Sequence, residues 1–152
     1  MYKHILIAVD GTKPANNALV HALRLAKLSN ARVTAVTVTE MWSPLDMARE
    51  AGAATDRTLA KPVQDFEKSA AKWAAGMLAS AAEAAKKAGI PCETVHITDR
   101  DPARGIVDTA KSKKCDLIVM GSHGRRGLEK LLLGSQASKV LALSKIPVLV
   151  HR

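Results

Sequence analysis

Short, wholly apolar runs alternate along the chain with longer stretches in which apolar residues return every three or four positions. Residues 5–9 (Ile5, Leu6, Ile7, Ala8, Val9) are apolar without a break, the pattern of a strand covered on both faces. Asp10, Gly11 and Thr12 interrupt the run, and Pro14 suits the first turn of a helix predicted to reach about Ser29. Its expected buried stripe is Ala18, Leu19, Ala22, Leu25, Ala26 and Leu28. Residues 33–39, rich in β-branched side chains, predict the second strand. Residues 41–62 lack a clear period, hold Pro44, Gly52 and Pro62, and read as a mobile loop with room for one helical turn.

A long helix is expected over 63–87, where Phe66, Ala70, Trp73, Met77, Ala81 and Ala84 recur at helical spacing. The aromatic pair in that stripe reads as core packing and not as a ligand box. Gly89 and Pro91 stop the helix. Strands at 92–97, 116–120 and 147–150 and helices at 102–113 and 134–143 complete the pattern. Strands separated by single helices imply parallel pairing through right-handed crossovers. In such sheets ligands sit at the carboxyl ends of strands where the strand order reverses. Asp10 ends the first strand and Gly121 the fourth, so the two share a crevice if those strands are neighbours.

Composition narrows the class. The 152 residues make one domain, 1–152, and 47% hydrophobic with 3% aromatic content indicates a core of Ala, Val, Leu and Ile. No apolar run approaches the ~20 residues of a membrane span. Lys3 and His4 precede only five apolar residues, too few for a secretory signal, so the expected location is the cytoplasm. Cys92 and Cys115 lack Cys-x-x-Cys spacing and read as small buried residues in a reducing compartment. The net charge of +9 raises nucleic-acid binding, but the Lys and Arg residues are scattered and no aromatic residues interleave with them. No specific nucleic-acid partner is expected from that pattern.

The chemistry concentrates where Leu117, Ile118, Val119 and Met120 give way to Gly121, Ser122, His123 and Gly124. After nine intervening residues come Gly134 and Ser135, opening the helix-like run that begins with Gln136. A strand, a glycine-rich loop and a helix start in that order make a place to hold phosphate. The spacing is neither a Walker loop nor the dinucleotide Gly-x-Gly-x-x-Gly. Glycines are expected here so that main-chain N–H groups reach an anion, and a bulky side chain at Gly121 or Gly134 should then block binding while sparing the fold.

Residues 5–11, 116–128, 131–135 and 146–150 together resemble the universal stress protein family over nearly the whole chain. Gly121, Gly124, Gly134 and Ser135 match the spacing of its ATP-binding branch. The resemblance implies an α/β three-layer sandwich, the adenine nucleotide alpha hydrolase-like fold, with a five-stranded parallel sheet of order 3-2-1-4-5. It also implies roles. Asp10 would meet the ribose hydroxyls or a bound magnesium ion, the Val38 main chain the adenine edge, and Met120 the base and ribose. Gly121, Gly124, Gly134, Ser135 and the Gln136 main chain would cradle phosphate, with His123 and Arg125 nearby. Two positions depart from the family pattern: Thr12 to Ala15 replace its Ser-x-x-Ser, and Arg100 replaces a glycine before Pro102, pointing either over the crevice or into solvent.

No Ser-His-Asp order, His-Glu-x-x-His or metal cluster appears, and only Asp10 and His123 are placed to activate water. The favoured reading is an ATP-binding regulator in stress response with slow or no hydrolysis. The alternatives are a slow magnesium-dependent ATPase and, below it, a basic nucleic-acid binder. Pro147, Val148, Leu149 and Val150 would form an edge strand, and its pairing with a second copy implies a homodimer.

Overall fold

The computed structural model describes residues 1–41, 49, 60–123 and 133–152. The elements are β1 (His4–Ala8), α1 (Lys13–Ser29), β2 (Arg32–Glu40), α2 (Ala60–Ala88), β3 (Cys92–Asp99), α3 (Pro102–Ser112), β4 (Leu117–Gly121), α4 (Ser135–Leu143) and β5 (Val148–His151). All strand pairs are parallel, in the order β3-β2-β1-β4-β5. Of the expected loop at 41–62, residues 60–62 belong to α2, while 42–48 and 50–59 lie outside the described residues.

Alternating strand positions feed two cores. Ile5, Ile7, Val33, Ala35, Leu117 and Val119 pack under α1 and α2 on one face. Leu6, Val36, Ile118 and Met120 pack under α3 and α4 on the other. Helix α1 buries Ala18, Leu19, Ala22, Leu23 and Ala26 as a stripe, but Leu28, expected inside, is 84% exposed. The stripe has ended before that last turn. Helix α2 differs more. Its sheet-facing side is Ala74, Leu78, Ala81 and Ala85, and Phe66 and Trp73 belong to neither buried cluster. Alanine on almost every side of α2 blurs the period, so the sequence pattern picked a face rotated from the buried one. Cys115 is buried and Cys92 half-buried, both as free thiols, and burial pushes Cys115 up to about 11.

The amino ends of β1 and β4 are tied by Asp116, whose carboxylate accepts from the Lys3 N–H at 2.7 Å and the His4 N–H at 3.0 Å. His4 itself is 5% exposed, with Nε2 at 2.8 Å from Thr34 Oγ1. Burial, helped by Arg32, lowers its pKa below the ordinary 6.5. The folded chain therefore keeps His4 neutral at a pH where the unfolded chain protonates it. Its contribution is fully present above about pH 6.5 and is lost as the pH falls below that value. The urea midpoint is expected to drop on going from about pH 7 to about pH 5, and His4→Gln to flatten that slope. An unaltered slope in the variant would contradict the assignment.

Candidate functional site

Strand β1 pairs with β2 on one side and β4 on the other, so the strand order reverses between β1 and β4. A cleft of about 740 Å³ opens there, over the carboxyl ends of β1, β2 and β4. That volume lies in the range of roughly 300–1,000 Å³ typical of small-molecule sites. A second, more open groove of about 400 Å³ between α2 and β3 is lined mainly by alanines and holds no acid, glycine turn or helix start.

Asp10 reaches the cleft just beyond β1. Its Oδ1 accepts from the Thr12 N–H at 2.9 Å and the Thr12 hydroxyl at 2.6 Å. The same hydroxyl oxygen caps α1 by accepting from the Ala15 N–H at 3.4 Å. Thr12 thus both caps α1 and anchors Asp10, and Oδ2 is the oxygen the loop does not use. Gly11, with φ +78°, completes the turn, and Met77 Sδ lies only 2.5 Å from where a Cβ would project.

Gly121 and Gly134 both line the cleft, yet the reason each must be glycine differs from the expected one. A Cβ on Gly121 would sit 2.8 Å from the Ala15 nitrogen and the Pro14 carbonyl carbon, in the first turn of α1. One on Gly134 would sit 2.9 Å from the Ser122 carbonyl oxygen, to which the Gly134 N–H donates at 2.7 Å. These contacts are chain against chain, so a valine at either position displaces backbone. The expectation that such variants spare the fold is corrected accordingly.

Helix α4 begins at Ser135 with Gly134 as its N-cap and no side chain capping it. The first turn of such a helix leaves N–H groups without intrahelical acceptors. Ser135, Gln136 and Ala137 present that turn to the cleft, and Gln136 Oε1 is buried with no hydrogen-bond partner. A side-chain amide turned over about its axis offers an NH₂ donor in the same place. His123 also lines the cleft, its Nδ1 at 2.9 Å from Ser122 Oγ. Gly124 and Arg125, the remaining phosphate candidates, lie outside the described residues.

Val38 and Met120 line the apolar part of the cleft. The Val9 N–H donates to the Val36 carbonyl and the Arg32 N–H to that of Lys3, so the even-numbered backbone groups of β2 face β1. β1 has ended by the level of Val38, whose main-chain groups therefore run past it toward the cleft. Arg100 is exposed and is not part of the lining, which resolves that departure toward solvent. Sequence reasoning missed Glu40, Phe66, Ser69, Trp73, Pro102 and Ile106, all of which line the cleft. The period of α2 held a signal for two of them, since Phe66 and Trp73 lie seven apart on one helix side. Among the described residues no group of three or more His, Cys, Asp or Glu side chains is placed to hold a metal.

The universal stress protein family matches the chain over residues 1–152. Universal stress protein YxiE of Bacillus subtilis is 32% identical over 158 residues, covering 100% of both chains. The Lactobacillus plantarum universal stress protein UspA has a similar structure, with a TM-score of 0.82 at 24% identity over 99% of this chain and 98% of that one. A universal stress protein in complex with cAMP gives a TM-score of 0.69 at 24% identity, covering 99% and 97% of the two chains. The Archaeoglobus fulgidus protein in complex with dAMP gives 0.65 at 22%, covering 99% and 98%. The sheet order and the pairs of helices on each face agree with what the sequence resemblance implied, and this chain belongs to the universal stress protein family.

Proposed function

We propose that the chain binds ATP with a magnesium ion and serves as a nucleotide-binding regulator in stress response, with slow or no hydrolysis. One observation carries this reading: Asp10 and the uncapped start of α4 face the same cleft, an acid beside a set of N–H donors. An anion is stabilised at such a helix start, and a ribose or metal by a carboxylate. The relatives in complex with cAMP and dAMP support an adenine nucleotide as the ligand.

In this reading the Val38 main chain meets the adenine edge and Met120 lines the base. Gly121, Gly134, Ser135 and Gln136 hold the phosphates, with Gly124 and Arg125 carried from the family pattern and His123 beside them. Magnesium usually binds through one or two carboxylates plus the phosphates themselves, so Asp10 suits that ion without a protein cluster. Magnesium would offset phosphate charge; Asp10 would hold and orient it.

Asp10→Asn is the clean test, because an amide oxygen keeps both Thr12 hydrogen bonds while losing the charge. The expected result is an unchanged melting temperature and a loss of magnesium-dependent ATP affinity of about tenfold. Equal affinity in the two proteins would remove Asp10 from the site.

Hydrolysis requires a group that orients water, and uniform binding of substrate does not supply one. Turnover is expected on the order of once per minute or slower, against ~1–100 s⁻¹ for kinases. A magnesium-dependent rate near one per second, abolished by Asp10→Asn, would establish the ATPase reading instead.

Assembly as a homodimer through β5 belongs to the same reading. Among the described residues β5 pairs with β4 alone, so its outer edge keeps main-chain groups for a second copy. Sedimentation at micromolar concentration is expected to give twice the 16.2 kDa chain mass, and Val148→Lys to return the single-chain species. A monomeric parent protein would exclude the dimer.

A further inference from the structure

Parallel pairing returns every helix to one pole of the sheet, so α1, α2, α3 and α4 all end where the strands begin. Cations scattered along the sequence are gathered there. Lys27, Lys86, Lys87 and Lys111 stand in last helical turns. Lys3, Arg32, Lys113, Lys114 and Lys145 stand at the strand starts or in the turns before them. All are exposed except Lys113, which is half-buried. Among the described residues four acids oppose these nine cations. Glu83, Glu93 and Asp108 pair with Lys87, Lys113 and Lys111, and Asp116 is taken up by the Lys3 and His4 N–H groups. The pole thus holds an excess of five positive charges, more than half of the chain's +9. The acids Asp10, Glu40, Asp99 and Asp101 lie at the opposite end, where the strands finish.

A cation in a last turn complements the helix dipole, which accounts for Lys27, Lys86, Lys87 and Lys111. It does not account for Lys3, Arg32 and Lys145, which lie outside the helices, or for Lys114. Helices α1, α2 and α3 end alike: the Ala31, Ile90 and Cys115 N–H groups donate back to the Ala26, Ala85 and Ala110 carbonyls, each at 2.9 Å. The residue before each donor is left-handed: Asn30 at φ 53°, Gly89 at φ 71° and Lys114 at φ 55°. Glycine and asparagine suit that conformation, and a lysine is strained in it. Strain retained at an exposed position points to a task for the side chain. Leu28 adds a second oddity, being 84% exposed in the last turn of α1 beside Lys27. A leucine among lysines offers little to a phosphate backbone but can enter the headgroup layer of a bilayer. We infer that this pole is a docking face for an anionic lipid surface. Its ammonium groups meet the negative headgroups as point charges, and Leu28 supplies the apolar contact. Docked in this way, the chain keeps its cleft open to solution.

Flotation with vesicles of equal parts phosphatidylcholine and phosphatidylglycerol tests the unaltered chain. Binding is expected to weaken with salt and to be absent on pure phosphatidylcholine. Lys114→Gly is expected to melt at a higher temperature, because glycine relaxes the left-handed turn, and yet to bind vesicles about fivefold more weakly. Lys72→Gln removes one charge from the exposed middle of α2 and is expected to bind as the parent does. Leu28→Ser is expected to weaken vesicle binding and to leave binding of duplex DNA unchanged. A parent chain that does not float with the mixed vesicles would overturn the inference. Equal losses in Lys114→Gly and Lys72→Gln would overturn it too, since net charge alone then sets the affinity. Tighter binding of duplex DNA than of vesicles at equal phosphate concentration, with Leu28→Ser unaltered on both, would assign the face to nucleic acid and remove the bilayer.

Discussion

Because β1 pairs in parallel with β2 on one edge and β4 on the other, the chain must leave these strands in opposite directions. A right-handed crossover toward β2 puts α1 on one face, and a right-handed crossover from β4 to β5 puts α4 on the other. No helix can then cover the ends of both strands. The cleft is the geometric remainder of that pairing, and everything placed at the ends of β1 and β4 is delivered to it. Asp116 holds the opposite ends together through the Lys3 and His4 N–H groups, so the two strands are fixed where they begin.

Close packing then decides what stands at the rim. The first turn of α1 lies so near the end of β4 that only hydrogen fits on Gly121, and the return of the chain at Gly134 is equally tight against Ser122. These approaches draw the loop after β1, the end of β4 and the start of α4 around one space. The N-cap glycine supplies no side chain to α4, so the helix start keeps its donors for whatever enters. Structural economy and ligand chemistry meet at the same residues.

Much of this was legible in the residues themselves. The unbroken apolar run at 5–9 and the Asp-Gly break after it marked a central strand ending in an acid, and the alternation of strands with helices implied the shared crevice. The face of α2 was not legible, because a helix with alanine all round buries whichever side the sheet meets and leaves little periodic contrast. For that reason Phe66 and Trp73 were assigned to the core and emerged in the cleft. Gly121 and Gly134 line the cleft, but what each glycine is for depends on distances between segments far apart in sequence, such as Gly121 against Pro14 and Ala15, which spacing alone does not encode.

Equilibrium dialysis of the unaltered chain against ATP and magnesium tests the central claim most directly, because it needs no variant and no turnover. The account predicts saturable binding approaching about one ATP per chain, competed by other adenine nucleotides and not by inorganic tripolyphosphate at equal concentration. Equal total nucleotide on both sides of the membrane, with the protein in large excess, would contradict it.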